Sequence, residues 1–265
     1  MMGIYTKEYG KIRAVARSAR KAKGKLKGHL ELFLDTELML AQGKNIDTIA
    51  SSLAVESFSG IKSDLKLLSA AYLIIELADK FTDEEHRDER IFWLLEKSLV
   101  FLNDLAEKHA PNPSLEGNSV GTGLKPVPTT VLLFQIHLLN LAGFSPELNK
   151  CVICGKPIKP NKNYFSVLRG GIIGEECFAE DRSARPISVE MIKLLRLFQL
   201  GKEDFDVGRY KNKISRHLQT AGKLKIAGEL VEGCIFLMND FMEFSAERKV
   251  KGIEFFKKIG IIEKR

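Results

Sequence analysis

Four cysteines occur in this 265-residue chain, and three of them have spacing that suits metal chemistry. Cys151-Val-Ile-Cys154-Gly is a knuckle, a turn that aims two thiolates at one tetrahedral ion, and a second knuckle normally supplies the other two ligands. Here the second half reads Gly174-Glu-Glu-Cys177 after a Gly170-Gly171 pair, so Gly174 stands where a fourth thiolate belongs. Two readings remain open. Cys151, Cys154 and Cys177 hold a structural zinc with a carboxylate (Glu175, Glu176 or Glu180) or water as fourth ligand, or the segment keeps its fold by packing alone. Catalytic metal chemistry is not expected, because no Glu/His pair stands ready to activate a bound water.

The second constellation is cationic. Lys7, Lys11, Arg13, Arg17, Arg20, Lys21, Lys23, Lys25 and Lys27 face one acid, Glu8. So many positive charges cannot all be paired locally. Such a run follows a phosphate backbone without reading bases, and the net charge of +7 points the same way. A solvated, solubilising loop is the competing reading. Aromatic residues in the arm are few (Tyr5, Tyr9, Phe33), so base stacking should be secondary to the phosphate term.

Other chemistries find no support. The five histidines are scattered, without a His-Glu-x-x-His, and are expected at the surface or at helix ends. Gly121-Thr-Gly123 lacks a third glycine, and there is no phosphate-binding Gly-x4-Gly-Lys-Ser/Thr loop. The chain is read as a binding protein without covalent catalysis. Cys234, in an apolar helical run, is expected to be a buried free thiol, and uneven cysteine spacing fits a reducing cytoplasm. No apolar stretch is long enough to span a membrane, and Met1-Met2-Gly-Ile does not resemble a signal-peptide core.

These residues must be positioned by two kinds of structure. From Ile12 to about Ala50 the pattern is strand-like, with Leu30, Leu32 and Leu34 alternating against Glu31, Phe33 and Asp35. Then Leu65, Leu68, Tyr72 and Ile75 predict the buried stripe of a helix. Thr82-x-x-Glu85 predicts a capping box for the next helix, whose stripe is Ile91, Leu94, Leu95, Leu99, Leu102 and Leu105. Ala110-Pro-Asn-Pro113 ends it, residues 111 to 128 read as a loop, and Val131 to Ala142 as a helix. The Cys segment spans about 149 to 182, followed by helices at Val189 to Leu200, Lys211 to Ala221 and Glu229 to Phe244.

Three patches in order resemble one family. They are Thr6-x-Glu8-Tyr-Gly10-Lys-Ile-x-Ala-Val-Ala-Arg17, then Phe134-x3-Leu138-Leu139-x3-Gly143-Phe-x-Pro146-x-Leu148-x2-Cys151-x2-Cys154-Gly, and finally Val250-Lys251-Gly252-x-x-Phe255. Together they resemble the bacterial RecO recombination mediators over nearly the whole chain. The resemblance implies an α+β protein: an amino-terminal OB-like β-barrel domain (1–58), then a helical domain (59–265) carrying a zinc-finger-like insert at about 149–182. It implies binding of single- and double-stranded DNA and strand annealing. With RecR, such a protein loads RecA onto strands coated by single-stranded-DNA-binding protein (SSB), in the cytoplasm at the nucleoid. The DNA-binding residues would be Lys11, Arg13, Arg17, Arg20, Lys21, Lys23, Lys25 and Lys27. The alternative is an interaction scaffold for RecR and SSB whose OB domain no longer holds DNA. Relatives usually carry a strand before the Thr-x-Glu-x-Gly segment, and a five-stranded barrel needs about 70 residues. Either the barrel lacks its first strand and leaves an unpaired edge at residues 10 to 17, or the recorded start is too late.

Overall fold

The computed structural model describes residues 1–16, 30–84, 86–109, 126–199, 206–223 and 226–259. At the amino terminus β1 (Met2–Thr6) and β2 (Gly10–Val15) form an antiparallel hairpin, and β3 (Leu34–Ala41) pairs antiparallel with β4 (Asp47–Ser57). The two hairpins join through a short parallel ladder, Ala14 to Asp47 and Val15 to Thr48, giving the order β1-β2-β4-β3. Two expectations are corrected here. The residues before Thr6 do form a strand, and β2 is an interior strand, so the edges of the sheet are β1 and β3. Among the described residues there are four strands here and the sheet is not closed into a barrel.

The alternation at Leu30, Leu32 and Leu34 starts too early, because β3 begins only at Leu34. Phe33 turns into the left-handed region (φ 62°) and buries its ring against the edge of Tyr72, whereas Leu32 faces solvent. One buried aromatic in a strained turn outweighs a short alternating pattern, because it fastens the sheet to the helices behind it. Gly10 makes a second attachment. Its φ is +68°, and a Cβ there would lie 2.3 Å from the carbonyl oxygen of His86, so only glycine lets β2 approach that backbone.

After α1 (Ser59–Ser63), α2 (Leu65–Phe81) is capped by Asp64, whose carboxylate accepts from the N–H groups of Lys66 and Leu67. Its buried face is Leu67, Ala70, Ala71, Ile74, Leu77 and Ala78, while Leu65 and Tyr72 are exposed. Of the expected stripe, Leu68 and Ile75 do pack against the core, and Leu65 and Tyr72 fall at its edge. This helix is apolar on two faces, and the one bearing small alanines allows closer approach of a neighbouring helix.

The helix α3 (Glu89–His109) buries Ile91, Leu94, Leu99, Leu102 and Leu105 as its periodicity requires. Its start differs from the capping-box expectation. Asp88 accepts from Arg90 N–H, and Thr82 instead closes α2 by donating to Ala78 O; Glu85 lies outside the described residues. Next, α4 (Pro126–Leu141) is apolar all round and buried from Val127 to Asn140, the mark of a central helix. Its two leading prolines sit in the first turn, where no backbone donor is needed. The predicted end at Ala110–Pro113 and most of the loop that follows lie outside the described residues.

The Cys insert follows, a three-stranded sheet ordered β6-β5-β7 from β5 (Asn163–Ser166), β6 (Gly171–Gly174) and β7 (Arg185–Ile187), with a 3-10 helix at Glu175–Glu180. Around α4 then pack α5 (Val189–Phe198), α6 (Val207–Lys223) and α7 (Gly228–Ser245). The last described helix, α8 (Lys251–Lys258), lies on α2. Glu76 caps it by accepting from the N–H groups of Lys251 and Gly252, at 2.9 and 2.5 Å. No described helix is long and apolar enough to cross a membrane.

Candidate metal centre and cationic surfaces

The first knuckle is a closed turn. Cys151 N–H donates to Lys156 O at 2.8 Å, Gly155 N–H returns to Cys151 O at 2.9 Å, and Gly155 takes φ +72°. Val152 N–H binds Ile172 O, which ties the knuckle to β6. At the end of β6 the chain enters the 3-10 helix and delivers Cys177, while Phe178 stacks on Tyr164 with ring centroids 4.0 Å apart. Two segments thus converge, and the sulfurs of Cys151, Cys154 and Cys177 all lie within 4.8 Å of one another.

Their electrostatics suit a cation. Burial opposes ionisation of Cys151, but the backbone N–H groups of Cys154, Gly174 and Ile153 outweigh it and bring the thiol down to about 7. Cys177 is pushed up to about 12, first because its thiol is held in a hydrogen bond with Cys154, then by burial, by the bond to Cys151 and by repulsion from the neighbouring thiolates. A soft divalent ion would relieve that repulsion.

The donor set fits zinc in three of four positions. The fourth is not a carboxylate among the described residues: Glu175 faces Lys162 at 3.7 Å, Glu176 faces Lys156 at 3.5 Å, and no acid joins the cluster. Gly174 has an ordinary extended backbone (φ −71°, ψ 158°), and a Cβ there would meet nothing within 4 Å. Beside it, a cavity of about 40 Å³ is lined by the cysteines, Gly174 and Asn163. Asn163 pairs with Gly174 across the ladder, and its buried Oδ1 has no hydrogen-bond partner among the described residues. Sequence reading missed this residue; only the strand register brings it to the cysteines.

The cationic run divides in two. Arg17, Arg20, Lys21, Lys23, Lys25 and Lys27 lie outside the described residues. The three cations before them are engaged within the protein, contrary to the expected excess of free charge. Lys7 reaches Glu89 at 3.5 Å and Arg13 reaches Glu84 at 2.5 Å. Lys11 holds a structural post: its ammonium donates to Asp79 O and Thr82 O at 2.6 and 2.9 Å and pairs with the Asp79 carboxylate. A cation there complements the carboxyl-terminal end of α2. Nothing near Lys11 in sequence signals this, because its partners are 68 and 71 residues away.

His137 corrects another expectation. It is wholly buried on α4, with Nδ1 3.1 Å from Tyr210 OH and Nε2 3.2 Å from His217 Nδ1. Burial, then the neighbouring His217 and Lys213, hold its pKa well below the ordinary histidine value. Cys234 is, as expected, a buried thiol, pushed up to about 12 by its apolar surroundings.

Residues 1–58 match the family profile described as Recombination protein O N terminal, and residues 122–229 match Recombination protein O C terminal. Among curated relatives, the DNA repair protein RecO of Dehalococcoides mccartyi is 34% identical over 87% of this chain and 82% of its own length. Its namesake from Roseiflexus is 30% identical over 93% of this chain and 75% of its own. That of Desulforamulus reducens is 28% identical over 98% and 88%. Two profiles in the right order and full-length likeness place the sheet, the helical core and the Cys insert in one known frame: the chain belongs to the RecO family.

Proposed function

We propose that this protein acts in DNA repair by binding single- and double-stranded DNA without reading sequence and by annealing complementary strands. In this reading it works with RecR to load RecA onto strands coated by single-stranded-DNA-binding protein, in the cytoplasm at the nucleoid. The observation that carries the proposal is the segment from Arg17 to His29, which holds Arg17, Arg20, Lys21, Lys23, Lys25 and Lys27 and no Asp or Glu. Arg13 stands at its base on β2, half exposed even while paired with Glu84. Annealing requires that phosphate repulsion between two strands be neutralised while base edges stay free, which suits cations that contact only the backbone.

The Cys centre has a structural part in this reading. Zinc, held by Cys151, Cys154 and Cys177 with water as fourth ligand, would clamp the knuckle to the end of β6. The test of the DNA reading is charge reversal of Arg17, Arg20, Lys21 and Lys23 to Glu in the full chain. Most single-strand affinity should vanish while helical circular dichroism is unchanged; undiminished binding would overturn the reading.

The rival is a scaffold that docks RecR and single-stranded-DNA-binding protein without touching DNA. What favours it is that Lys7, Lys11 and Arg13 are all paired internally. The same variant decides between them, because a scaffold would keep its protein partners and show no DNA affinity to lose.

A further inference from the structure

Helix α6 has an unusual charge pattern. Over seventeen residues it contains no Asp or Glu, yet it carries Arg209, Lys211, Lys213, Arg216 and Lys223. The core helix α4 also lacks acids, but it has no Lys or Arg either. Arg209 sits in the first turn, where the helix dipole disfavours a cation, and Arg209 and Lys213 are like charges one turn apart. Only Lys223, in the last turn, gains from the dipole; the placement of Arg209 and Lys213 works against the helix. A sequence that works against its own helix in this way points to a ligand.

The geometry is regular. Arg209, Arg216 and Lys223 are seven residues apart, so they fall on one stripe with a drift of only about 20° per step, roughly 10.5 Å between neighbours. Exposed Asn212, Gln219 and Thr220 flank the stripe with neutral hydrogen-bonding groups. All three cations are exposed, and none has a carboxylate within ion-pair distance among the described residues. The opposite stripe, Tyr210, Ile214, Leu218 and Ala221, is buried. That leaves no apolar face to insert between lipids, so this is not an interfacial membrane helix. What the stripe offers is evenly spaced positive charge on a rigid rod, and its complement is an evenly spaced polyanion.

We propose that the solvent face of α6, through Arg209, Arg216 and Lys223, is a second nucleic-acid surface that grips a phosphate backbone independently of the amino-terminal arm. It extends the DNA-binding reading to a site in the helical half of the molecule. Two separate surfaces on one chain can hold two strands at once, which is the physical requirement for bringing complements together.

The test uses the full-length protein with R209E/R216E/K223E, and with R209Q/R216Q/K223Q in case reversal disturbs folding, each checked by circular dichroism. Affinities for a labelled single strand and for a duplex are measured across a salt series, beside strand annealing read by energy transfer. Removal of three phosphate contacts should weaken single-strand binding by about tenfold or more at low salt and shallow the plot of log K against log salt by about 2. Annealing should fall further than binding. If both folded variants match the parent in affinity, slope and annealing, the proposal is wrong. Loss in the α6 variants with none in the arm variant would remove the arm reading and keep this one. Loss in the arm variant alone would do the reverse.

Discussion

The amino-terminal sheet and helix α4 are built on opposite terms. In α4 the side chains from Val127 to Asn140 are almost all enclosed, including Phe134 and even His137 and Gln135. In the four-stranded sheet the fully enclosed apolar side chains are Ala14 and Ile49, and Met39, Leu53 and Val55 lie open on β3 and β4. The sheet has too little interior to stand on its own burial. It is held by attachments to the helices: Phe33 on Tyr72, Lys11 on the end of α2, Tyr5 OH on Asp88 O. A sheet that rests on a few attachments opens more readily than the enclosed helical core.

The largest expected effect comes from the frame. Phe134→Ala leaves a cavity at the centre and should cost about 3–5 kcal/mol, so denaturant unfolding should show sheet and helices lost together at a lower midpoint. If only the helices lost stability, the sheet would be an independent unit. A smaller effect is expected at the fastener. Lys11→Met leaves Asp79 O and Thr82 O without their donor and should cost about 1–3 kcal/mol. Hydrogen exchange should then quicken in residues 2–15 and stay unchanged in α4; equal exchange in both would show that Lys11 does not fasten the sheet.

How much of this contrast could be read in advance depended on distance along the chain. The stripe of α3 was legible because Ile91, Leu94, Leu99, Leu102 and Leu105 recur at helical spacing, and the helical reading of residues 131–142 was sound because nine of those twelve residues are apolar and no Gly or Pro interrupts them. In α2, where two faces are apolar, periodicity could not say which one the alanines would bring to a neighbour. Lys11 read as one cation among many, since its carbonyl partners lie 68 and 71 residues away. His137 depends on Tyr210 and His217, 73 and 80 residues away, and no local pattern announces that meeting. At the Cys centre the three clustered cysteines were plain from spacing, whereas Asn163 became visible only through its register with Gly174.

The pH response separates frame from sheet in a gentler way. His137 is held neutral, its pKa depressed below 6.5, so the unfolded chain takes up a proton that the native one refuses. Its contribution is fully present above about pH 6.5 and is lost as pH falls, with a slope of at most about 1.4 kcal/mol per pH unit. His137→Asn should flatten that slope for the helical core between pH 6.5 and 5. A slope unchanged by the substitution would assign the acid sensitivity to other groups.

The smallest effect on global stability is expected at the insert, whose hairpins are already formed by backbone hydrogen bonds. Gly174→Cys adds a fourth thiolate where a Cβ has open space, so zinc should be retained against a chelator that strips the parent protein. In the metal-free parent, alkylation of Cys151 should rise as pH passes about 7, ahead of Cys177 at about 12. No gain in zinc retention by the variant would show the site to be held by packing alone.

The central claim is that this chain holds DNA by its phosphates. Its most direct test is the affinity of the unmodified protein for single strands of unrelated sequence across a salt series. With four to six phosphates neutralised, log K against log salt should be a line of slope about −3 to −4, the same for every sequence. A flat line, or slopes and affinities that differ from one sequence to another, would contradict it.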